Sequence, residues 1–349
     1  MTVGVCREPT SHPRVVGKVL WRAVRTVGPT VVQSSLTLAL GWYALQRADT
    51  EAVLSVLARF DTPWLVPLAW LLAAQAGLLC LRFRLILSGI ETRRPFGWPI
   101  ARTVLLGLLF GQLLPFTFGG DVARVALLRR VSVPLKTAAT GVFVDRAAAL
   151  LTMLLTMAAS FPLIATLPAG AGSGARTTLL WLDAGAAVGS MAVVVALLSA
   201  GGLVRSIGRF PRLASLVAGL PPHLPKPRRL LAVLLVGIAG HAATVLIGLC
   251  VAAGMGIPLS PGAAFLLIPP ALLVAQLPVS VAGWGVRETA LVVALGLAGL
   301  SPTDAVSVSV GIGLACLFQG GLAGFASWVA GPAAAGRLPL RARAVREAR

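Results

Sequence analysis

PFTFGGDVAR, residues 115–124, has a second copy in PVSVAGWGVR, residues 278–287. Both copies read proline, apolar, hydroxyl, apolar, small residue, glycine, three further residues and then arginine. Each lies inside an apolar stretch, where proline and glycine interrupt helical hydrogen bonds and leave backbone groups that lipid cannot satisfy. Such a break is tolerated at membrane depth only where it is packed in protein or lines a wet cavity. Matching breaks in two halves are typical of transporters built from repeats.

The composition indicates a membrane protein. Hydrophobic residues make up 57% of the chain, charged residues only 12%, and the mean hydropathy is +0.89. Soluble domains carry about 25% charged residues. We therefore expect an all-α polytopic membrane protein. The net charge of +19 does not indicate nucleic-acid binding, because the basic residues lie in clusters between apolar runs and not among interleaved aromatic residues.

Several apolar runs are long enough to cross a ~30 Å hydrocarbon core as full helices. The six predicted spans are 30–46, 64–81, 138–160, 178–200, 230–253 and 305–332. The basic connections are the N-terminal segment, the segment with Arg82, Arg84, Arg93 and Arg94, the run Arg124/Arg129/Arg130/Lys136, the run from Arg205 to Arg229, and the tail. Basic loops face the cytoplasm, so we expect a cytoplasmic-membrane protein with both termini inside and an uncleaved first span.

Two further apolar segments do not fit as simple spans. Segment 100–118 begins and ends beside basic loops, which predicts a re-entrant hairpin that turns at Pro115–Gly120 and returns through 121–131. Segment 262–298 lies between two poorly charged loops and predicts a second hairpin, turning at Pro278–Gly285. One hairpin therefore enters the membrane from inside and the other from outside.

Each predicted hairpin has one full span before it and one after it. The resulting units, about 64–160 and 230–332, have opposite orientations, which is the arrangement of an inverted repeat. They lie in a transmembrane domain of 30–332, between a basic N-terminal segment, 1–29, and a basic tail, 333–349. The alternative is that two unrelated kinks rich in proline and glycine look alike.

An arginine follows each turn by a few residues. The helices that restart there present free N–H groups and a positive dipole end, which suit a phosphate, and Arg124 and Arg287 are placed to add bidentate contacts. The alternative is that each arginine neutralises an acidic neighbour, Asp121 or Glu288. The predicted turn residues are Pro115, Gly119, Gly120, Pro278, Gly283 and Gly285.

Asp145 and Arg146 form an acid–base pair about a third of the way into the span 138–160. Adjacent residues face different sides of a helix, so the two side chains cannot simply neutralise each other, and we expect at least one to point into the bundle. His241 is predicted to be a packing hydrogen-bond partner, and Gln112 and Gln276 to satisfy backbone groups freed by the breaks.

The remaining polar residues give weaker signals. The four cysteines and three histidines are dispersed, so we expect no metal site and no cofactor. Asp49 and Glu51 lie in the short loop 47–63, and an acidic pair in a first outer loop is a feature of membrane glycosyltransferases that use lipid-linked sugars. Hydrated loop residues are the other interpretation of this pair.

The motifs together resemble a known family. L-P-x-x-x-G-G-D-x-x-R at 114–124, the D-R pair, and P-x-S-x-x-G-x-G-x-R-E at 278–288 resemble the lysylphosphatidylglycerol synthetase transmembrane-region family of flippase-like proteins over about 30–332. In that family the best-understood members join this region to a cytosolic aminoacyltransferase domain and move aminoacylated phosphatidylglycerol across the bilayer. We expect no such domain after the last predicted span, so a complete lysyl-lipid synthase is not expected here. The resemblance implies lipid handling without naming the lipid.

The leading hypothesis is translocation of a phospholipid or glycolipid, with no catalytic residues. The predicted headgroup-binding residues are Arg124, Arg146, Arg287, Asp121, Glu288 and Asp145. The expected partners are an anionic lipid and the membrane, with a separate aminoacyltransferase or glycosyltransferase and a homo-oligomer as further possibilities, and no nucleic acid. The alternatives are a membrane-embedded glycosyl- or aminoacyl-lipid transferase component and a non-catalytic partner in cell-envelope biosynthesis.

Overall fold

The computed structural model describes residues 50–90, 97–114, 118–167, 184–190, 227–276 and 285–330, with isolated positions at 35, 39, 174, 177, 180 and 181. All regular structure in these ranges is helical. The α-helices are α1 (Thr50–Ala58), α2 (Leu65–Ile90), α3 (Trp98–Leu113), α4 (Gly119–Arg130), α5 (Leu135–Ser160), α6 (Pro227–Gly254), α7 (Pro261–Ala275), α8 (Val286–Leu297) and α9 (Pro302–Val329). The segments Thr62–Trp64 and Phe161–Thr166 are 3₁₀-helices. The prediction of an all-α fold is confirmed.

Four helical segments are long and apolar enough to cross a membrane: Thr62–Ile90, Leu135–Ala165, Arg228–Gly254 and Pro302–Val329. They contain, or nearly coincide with, the predicted spans 64–81, 138–160, 230–253 and 305–332. Large apolar side chains are exposed on them, including Trp70, Phe325 and Trp328. A soluble protein would bury such residues, whereas lipid accommodates them. The predicted span 30–46 and most of 178–200 lie outside the described residues.

The other four helices of the two predicted units are shorter. Helices α3 and α7 have 16 and 15 residues, and α4 and α8 have 12 residues each. At 1.5 Å per residue they are about 18–24 Å long, less than the ~30 Å hydrocarbon core. Their bounds agree closely with the arms predicted for the hairpins. Among the predicted turn residues, Pro115, Pro278 and Gly283 lie outside the described residues.

Helices α3 and α4 form an antiparallel hairpin. A Cβ added to Gly107 would lie 3.4 Å from the carbonyl oxygen of Gly120 and would also contact Arg124, whereas one added to Gly111, a turn later, would lie 3.9 Å from the Cα of Gly120. Later residues of α3 therefore lie beside earlier residues of α4, so the two helices are antiparallel. Glycines let the two backbones approach closely, as they do in other membrane helix pairs. Helices α7 and α8, the arms predicted for the second hairpin, also pack against each other.

The sequence sets the ends of the second unit's helices. Ser260 precedes α7 and accepts a hydrogen bond from the backbone N–H of Ala263, and Ser301 precedes α9 and accepts one from that of Asp304. Both are N-caps followed by proline, which needs no N–H partner at the first turn. Gly285 precedes α8 with a φ of 81°, a left-handed conformation that favours glycine.

Each unit has its own buried core. In the first, Phe83 of α2, Val104 of α3, Leu128 of α4 and Val142 of α5 belong to one apolar cluster. The second cluster draws buried residues from α6, α7, α8 and α9: Val245, Ala252, Ala264, Ile268, Ala271, Leu291, Leu295, Ala305, Val308 and Ile312. The hairpin and the two long helices of each unit therefore pack as a group.

Contacts of α2 with α6 and α9, of α3 with α9, and of α5 with α6 and α7 join the two groups. Leu72, Val251 and Ala315 share a small apolar cluster. Beside it, Gln75 donates to Thr244 over 2.6 Å, and the Gln319 amide donates to the Gln75 amide oxygen over 2.9 Å and to a backbone carbonyl of α2. Interhelical hydrogen bonds of this kind stabilise helix packing where no water competes.

The segment 47–63 was predicted to be a short loop. The structure instead has α1 there and the start of the 3₁₀-helix Thr62–Trp64. Val53 of α1 is buried, and α1 packs against α9. Apolar contacts with a neighbouring helix stabilise a nine-residue helix that would be marginal alone.

Candidate functional site

A network of five charged side chains joins α2, α4 and α5. Asp145 of α5 accepts from Arg82 of α2 and from Arg124 of α4, over 2.8 Å in each case. Asp121 lies 3.7 Å from Arg124 and accepts from Arg146 over 2.6 Å. The structure therefore brings four of the six predicted headgroup-binding residues together and adds Arg82 to them.

The network is asymmetric in burial and in charge. The side chains of Arg82, Arg124, Asp121 and Asp145 are about nine-tenths buried or more, whereas that of Arg146 is 42% exposed. Three arginines against two aspartates leave one net positive charge. The four buried side chains balance one another, so the excess cation is the part-exposed Arg146, which an anionic partner can reach.

Arg124 has unused hydrogen-bonding capacity. Its Nη1 contacts both aspartates, but Nε and Nη2 are buried without a hydrogen-bond partner among the described residues. These two nitrogens form one edge of the guanidinium group, the edge that receives a carboxylate or phosphate in a bidentate manner. The Phe83 ring lies 4.0 Å from the guanidinium carbon and covers one face, which holds the plane of the group in place.

A cavity of about 220 Å³ adjoins this arginine. It is lined by Val104, Gly107, Leu108, Gly111, Gln112, Gly120, Asp121, Arg124 and Arg146. A water molecule occupies roughly 30 Å³ in the liquid, so the cavity has room for a polar group of several atoms. It lies between the two arms of the first hairpin, with Arg146 of α5 at its margin.

Glycines let the two helices beside this cavity approach each other closely. A Cβ on Gly107 would lie 2.6 Å from the Cγ of Arg124, and a Cβ on Gly120 would lie 2.5 Å from the carbonyl oxygen of Gly107. Neither position has room for a larger residue without a shift of its neighbour. The glycine pair of the first motif thus brings α3 and α4 together while Gly107 makes room for the Arg124 side chain.

The second copy of the motif forms a different arrangement. Arg287 donates to Glu288 over 2.6 Å and 3.0 Å, and the other carboxylate oxygen of Glu288 accepts from the Gly285 N–H over 2.5 Å. Both side chains are about nine-tenths buried. The pair agrees with the alternative in which the arginine neutralises an acidic neighbour, and Glu288 also caps the first turn of α8.

Two other sequence predictions have clear outcomes. Asp145 and Arg146 bind different partners, as their positions on the helix predicted. His241 lies 3.0 Å from the carbonyl oxygen of Ala149, so its predicted packing role is confirmed. Gln276 donates to the Met153 sulfur over 3.0 Å, and the backbone of the second break that it was predicted to satisfy, 277–284, lies outside the described residues.

Gln112 lines the cavity, and its carbonyl oxygen is buried without a partner among the described residues. The backbone at 115–117 that it was expected to satisfy lies outside those residues. The position expected for Arg82 was wrong. Arg82 was assigned to a basic loop, but α2 continues to Ile90 and buries it. The apolar residues Phe83, Ile86 and Leu87 after Arg82 carried the signal that the helix goes on.

Glu51, the described member of the acidic pair in segment 47–63, is not part of the network. Glu51 is exposed in the first turn of α1, and Asp49 lies outside the described residues. A carboxylate near a helix N-terminus is stabilised by the helix dipole, which gives Glu51 a local structural role.

The long apolar helices with lipid-compatible surfaces and the buried charged network define a polytopic helical membrane protein. The chain belongs to the lysylphosphatidylglycerol synthase TM region family, whose sequence model matches residues 27–324. The resemblance inferred from the motifs is thereby confirmed. A comparison with curated proteins gave no match.

Proposed function

We propose that this protein binds the headgroup of a phospholipid or glycolipid in the cavity of the first hairpin and moves that lipid across the cytoplasmic membrane. The free Nε–Nη2 edge of Arg124, on a buried side chain that lines the cavity, is the observation that carries the proposal. An anionic phosphate oxygen is the natural partner for such an edge. Membership of the family is consistent with a lipid-related role.

The proposal includes two re-entrant hairpins arranged as an inverted repeat. The short lengths of α3, α4, α7 and α8 support it, because none of them spans a ~30 Å core alone. Equivalent helices of the two proposed units make equivalent contacts. The first arms, α3 and α7, each pack on the last long helix of the other unit, α9 and α5. The second arms, α4 and α8, each pack on the last long helix of their own unit, α5 and α9. Separate cores in the two units support it further.

The side chains of the network have distinct roles in this proposal. Arg124 receives the phosphate, and the half-exposed Arg146 is placed to meet the lipid as it enters. Asp121 and Asp145 hold the two arginines by hydrogen bonds of 2.6 and 2.8 Å. Arg287 and Glu288 fix the first turn of α8 and so shape the opposite hairpin. The basic clusters support an orientation with both termini in the cytoplasm.

The test is a lipid-movement assay in reconstituted vesicles. Anionic lipid with a fluorescent acyl chain is placed in both leaflets, and a membrane-impermeant reductant bleaches the outer label; the protein-dependent rate of further bleaching reports translocation. We expect the wild type and Arg129→Ala to be active, because Arg129 is exposed on the same helix. Arg124→Lys should lose activity, because an ammonium keeps the charge but lacks the bidentate edge. Equal rates for wild type, Arg124→Lys and empty vesicles would overturn the proposal.

A further inference from the structure

Arg146 is a part-exposed cation at membrane depth. It belongs to the spanning segment Leu135–Ala165, whose 31 residues have their middle at residue 150. At 1.5 Å per residue, the Arg146 Cα lies about 6 Å from that middle, well inside a ~30 Å hydrocarbon core. Its side chain is nevertheless 42% exposed, and its Nε is held 2.6 Å from a carboxylate oxygen of Asp121. A charge in this position is costly unless water or an anion meets it.

The neighbours of Arg146 on α5 show what its exposed part faces. Phe143, Ala147 and Leu150 are exposed, and we call these three residues the α5 strip. Their spacing of four and three residues places them on one face of the helix. Arg146, three residues after Phe143 and four before Leu150, lies at the edge of the same face. An exposed apolar face on a spanning helix lies against lipid, so lipid molecules in the bilayer can reach Arg146.

Arg146 also borders the cavity of the first hairpin. It lines that cavity together with Asp121 of α4 and residues of α3. Next to Asp121, Val122 is 65% exposed, so α4 also presents an apolar side chain outward at this level. Because Arg146 belongs both to the cavity lining and to the edge of the α5 strip, the cavity meets the bilayer beside α5.

The charge of Arg146 specifies the group that meets it there. Three arginines and two aspartates form the network, so one positive charge is in excess, and the part-exposed Arg146 carries it. The phosphate of a membrane lipid supplies the missing negative charge. The α5 strip beside the arginine is apolar, which suits the acyl chains of the same molecule.

We infer that a lipid enters the cavity sideways from the bilayer, beside α5, with its phosphate at Arg146 and an acyl chain along the α5 strip. The acyl chain then stays in hydrocarbon while the headgroup moves. Entry from the cytosol would instead require the chains to leave the bilayer, which costs hydrophobic free energy for every methylene group. The inference rests on the proposed function in taking the ligand to be a lipid, and it adds the route and the surface that holds the chain.

The first test is photolabelling of the full-length protein in vesicles. The probe is phosphatidylglycerol with a diazirine in one acyl chain, used well below saturation, and labelled residues are identified by mass spectrometry. We expect label on the α5 strip of the wild type. Arg146→Gln should lower that label by about tenfold, the effect of one lost charge-assisted hydrogen bond. Label on the exposed Ala73 and Ala74 of α2 reports general lipid contact and should not change. Equal labelling of the α5 strip in the wild type and Arg146→Gln would overturn the inference.

A matched pair of tryptophan variants tests the same route through lipid movement. Ala147→Trp places a large ring on the α5 strip beside Arg146, whereas Ala74→Trp places one on an exposed position of α2. The depths are similar, since Ala147 is three residues from the middle of its span and Ala74 is two residues from the middle of Thr62–Ile90.

Both alanines are exposed, so neither variant should disturb folding, which thermal unfolding in detergent checks. In the vesicle assay Ala147→Trp should slow movement by about tenfold or more, because the ring keeps the phosphate from its charge-assisted contact. Ala74→Trp should stay within about twofold of the wild type. Equal rates in the two variants, whether both high or both low, would overturn the inference.

Glycerophosphoglycerol, the water-soluble part of the probe lipid, distinguishes entry from the bilayer from entry from water. In excess it should leave the label on the α5 strip unchanged, and a loss as large as that caused by unlabelled phosphatidylglycerol would overturn the sideways route. The result is also separable from the proposed function. Labelling that depends on Arg146 without movement in the vesicle assay would refute translocation alone. Movement that Ala147→Trp does not slow would refute this inference alone.

Discussion

Arg82 and Asp145 are 63 positions apart in the chain, yet the Arg82 Nε lies 2.8 Å from the Asp145 Oδ1. The second oxygen of Asp145 accepts from Arg124 over the same distance. One buried carboxylate therefore connects the long helix before the first hairpin, the returning arm of that hairpin and the long helix after it. The position of the Arg124 guanidinium depends on both long helices.

Asp145→Asn should destabilise the protein strongly. The amide cannot neutralise the buried Arg82 and Arg124, and removing one member of a buried ion pair typically costs about 3–5 kcal/mol. The measurement is thermal unfolding of the purified protein in detergent, with Arg84→Ala as control because Arg84 is exposed two residues from Arg82.

The double variant Arg82→Met/Asp145→Asn sharpens this test. It removes one of the two uncompensated cations, so it should unfold at a higher temperature than Asp145→Asn alone. Such recovery is characteristic of residues coupled in one network. If Asp145→Asn unfolded at the wild-type temperature, the buried ion pairs would have no structural importance.

Much of the first unit could be predicted from sequence because its signals are local. Proline and glycine mark the break between α3 and α4, and the adjacency of Asp145 and Arg146 fixes their different directions. Arg82 was missed because an arginine after an apolar run resembles the start of a cytoplasmic loop. Its partner is contributed by another helix, and only tertiary packing places an anion beside it.

The cavity could not be predicted for a related reason. One of its lining residues is Gly107, which belongs to neither copy of the motif and packs against Arg124 from the other arm of the hairpin. The two motif copies also look equivalent in sequence. They differ in the structure because Arg287 pairs with the adjacent Glu288, whereas Arg124 pairs with Asp145 of another helix and has one edge without a hydrogen-bond partner among the described residues.

Gly107→Ala should impair function more than folding. The new Cβ would lie 2.6 Å from the Cγ of Arg124, so the arginine must move, and overpacking of this kind costs about 1–3 kcal/mol. We expect translocation to fall by about tenfold or more, the loss predicted when one charge-assisted contact is broken. The vesicle assay measures this directly.

Gly111→Ala is the matched control on the same helix. Its Cβ would make an ordinary contact of 3.9 Å with the Cα of Gly120, so it should keep most of the activity. Similar losses in the two variants would show that the helix tolerates no alanine at either position, and the particular role of Gly107 would be refuted.

Glu51→Ala separates translocation from sugar transfer. Glu51 is exposed on α1, and surface substitutions usually change stability by less than about 0.5 kcal/mol. We expect the rate of lipid movement to stay within about twofold of the wild type, an order-of-magnitude allowance for so small a change. If the protein is instead a membrane transferase that uses Asp49 and Glu51, Glu51→Ala should abolish sugar transfer to a lipid. Loss of transfer activity in this variant would favour that alternative.

The re-entrant path proposed for the second hairpin predicts which residues face the same side of the membrane. Pro258 lies before α7 and Pro302 begins α9, and both are exposed; if α7 and α8 turn back within the bilayer, the two positions share one face. In a variant without the native cysteines, Pro258→Cys and Pro302→Cys should both react with an impermeant maleimide on intact cells. Lys136→Cys, which follows the first hairpin, should react only after the membrane is opened, because basic segments lie inside. Labelling of Pro258→Cys and Pro302→Cys from opposite faces would mean that the segment between them crosses the bilayer, and the inverted repeat would then be wrong even if the cavity at Arg124 binds lipid.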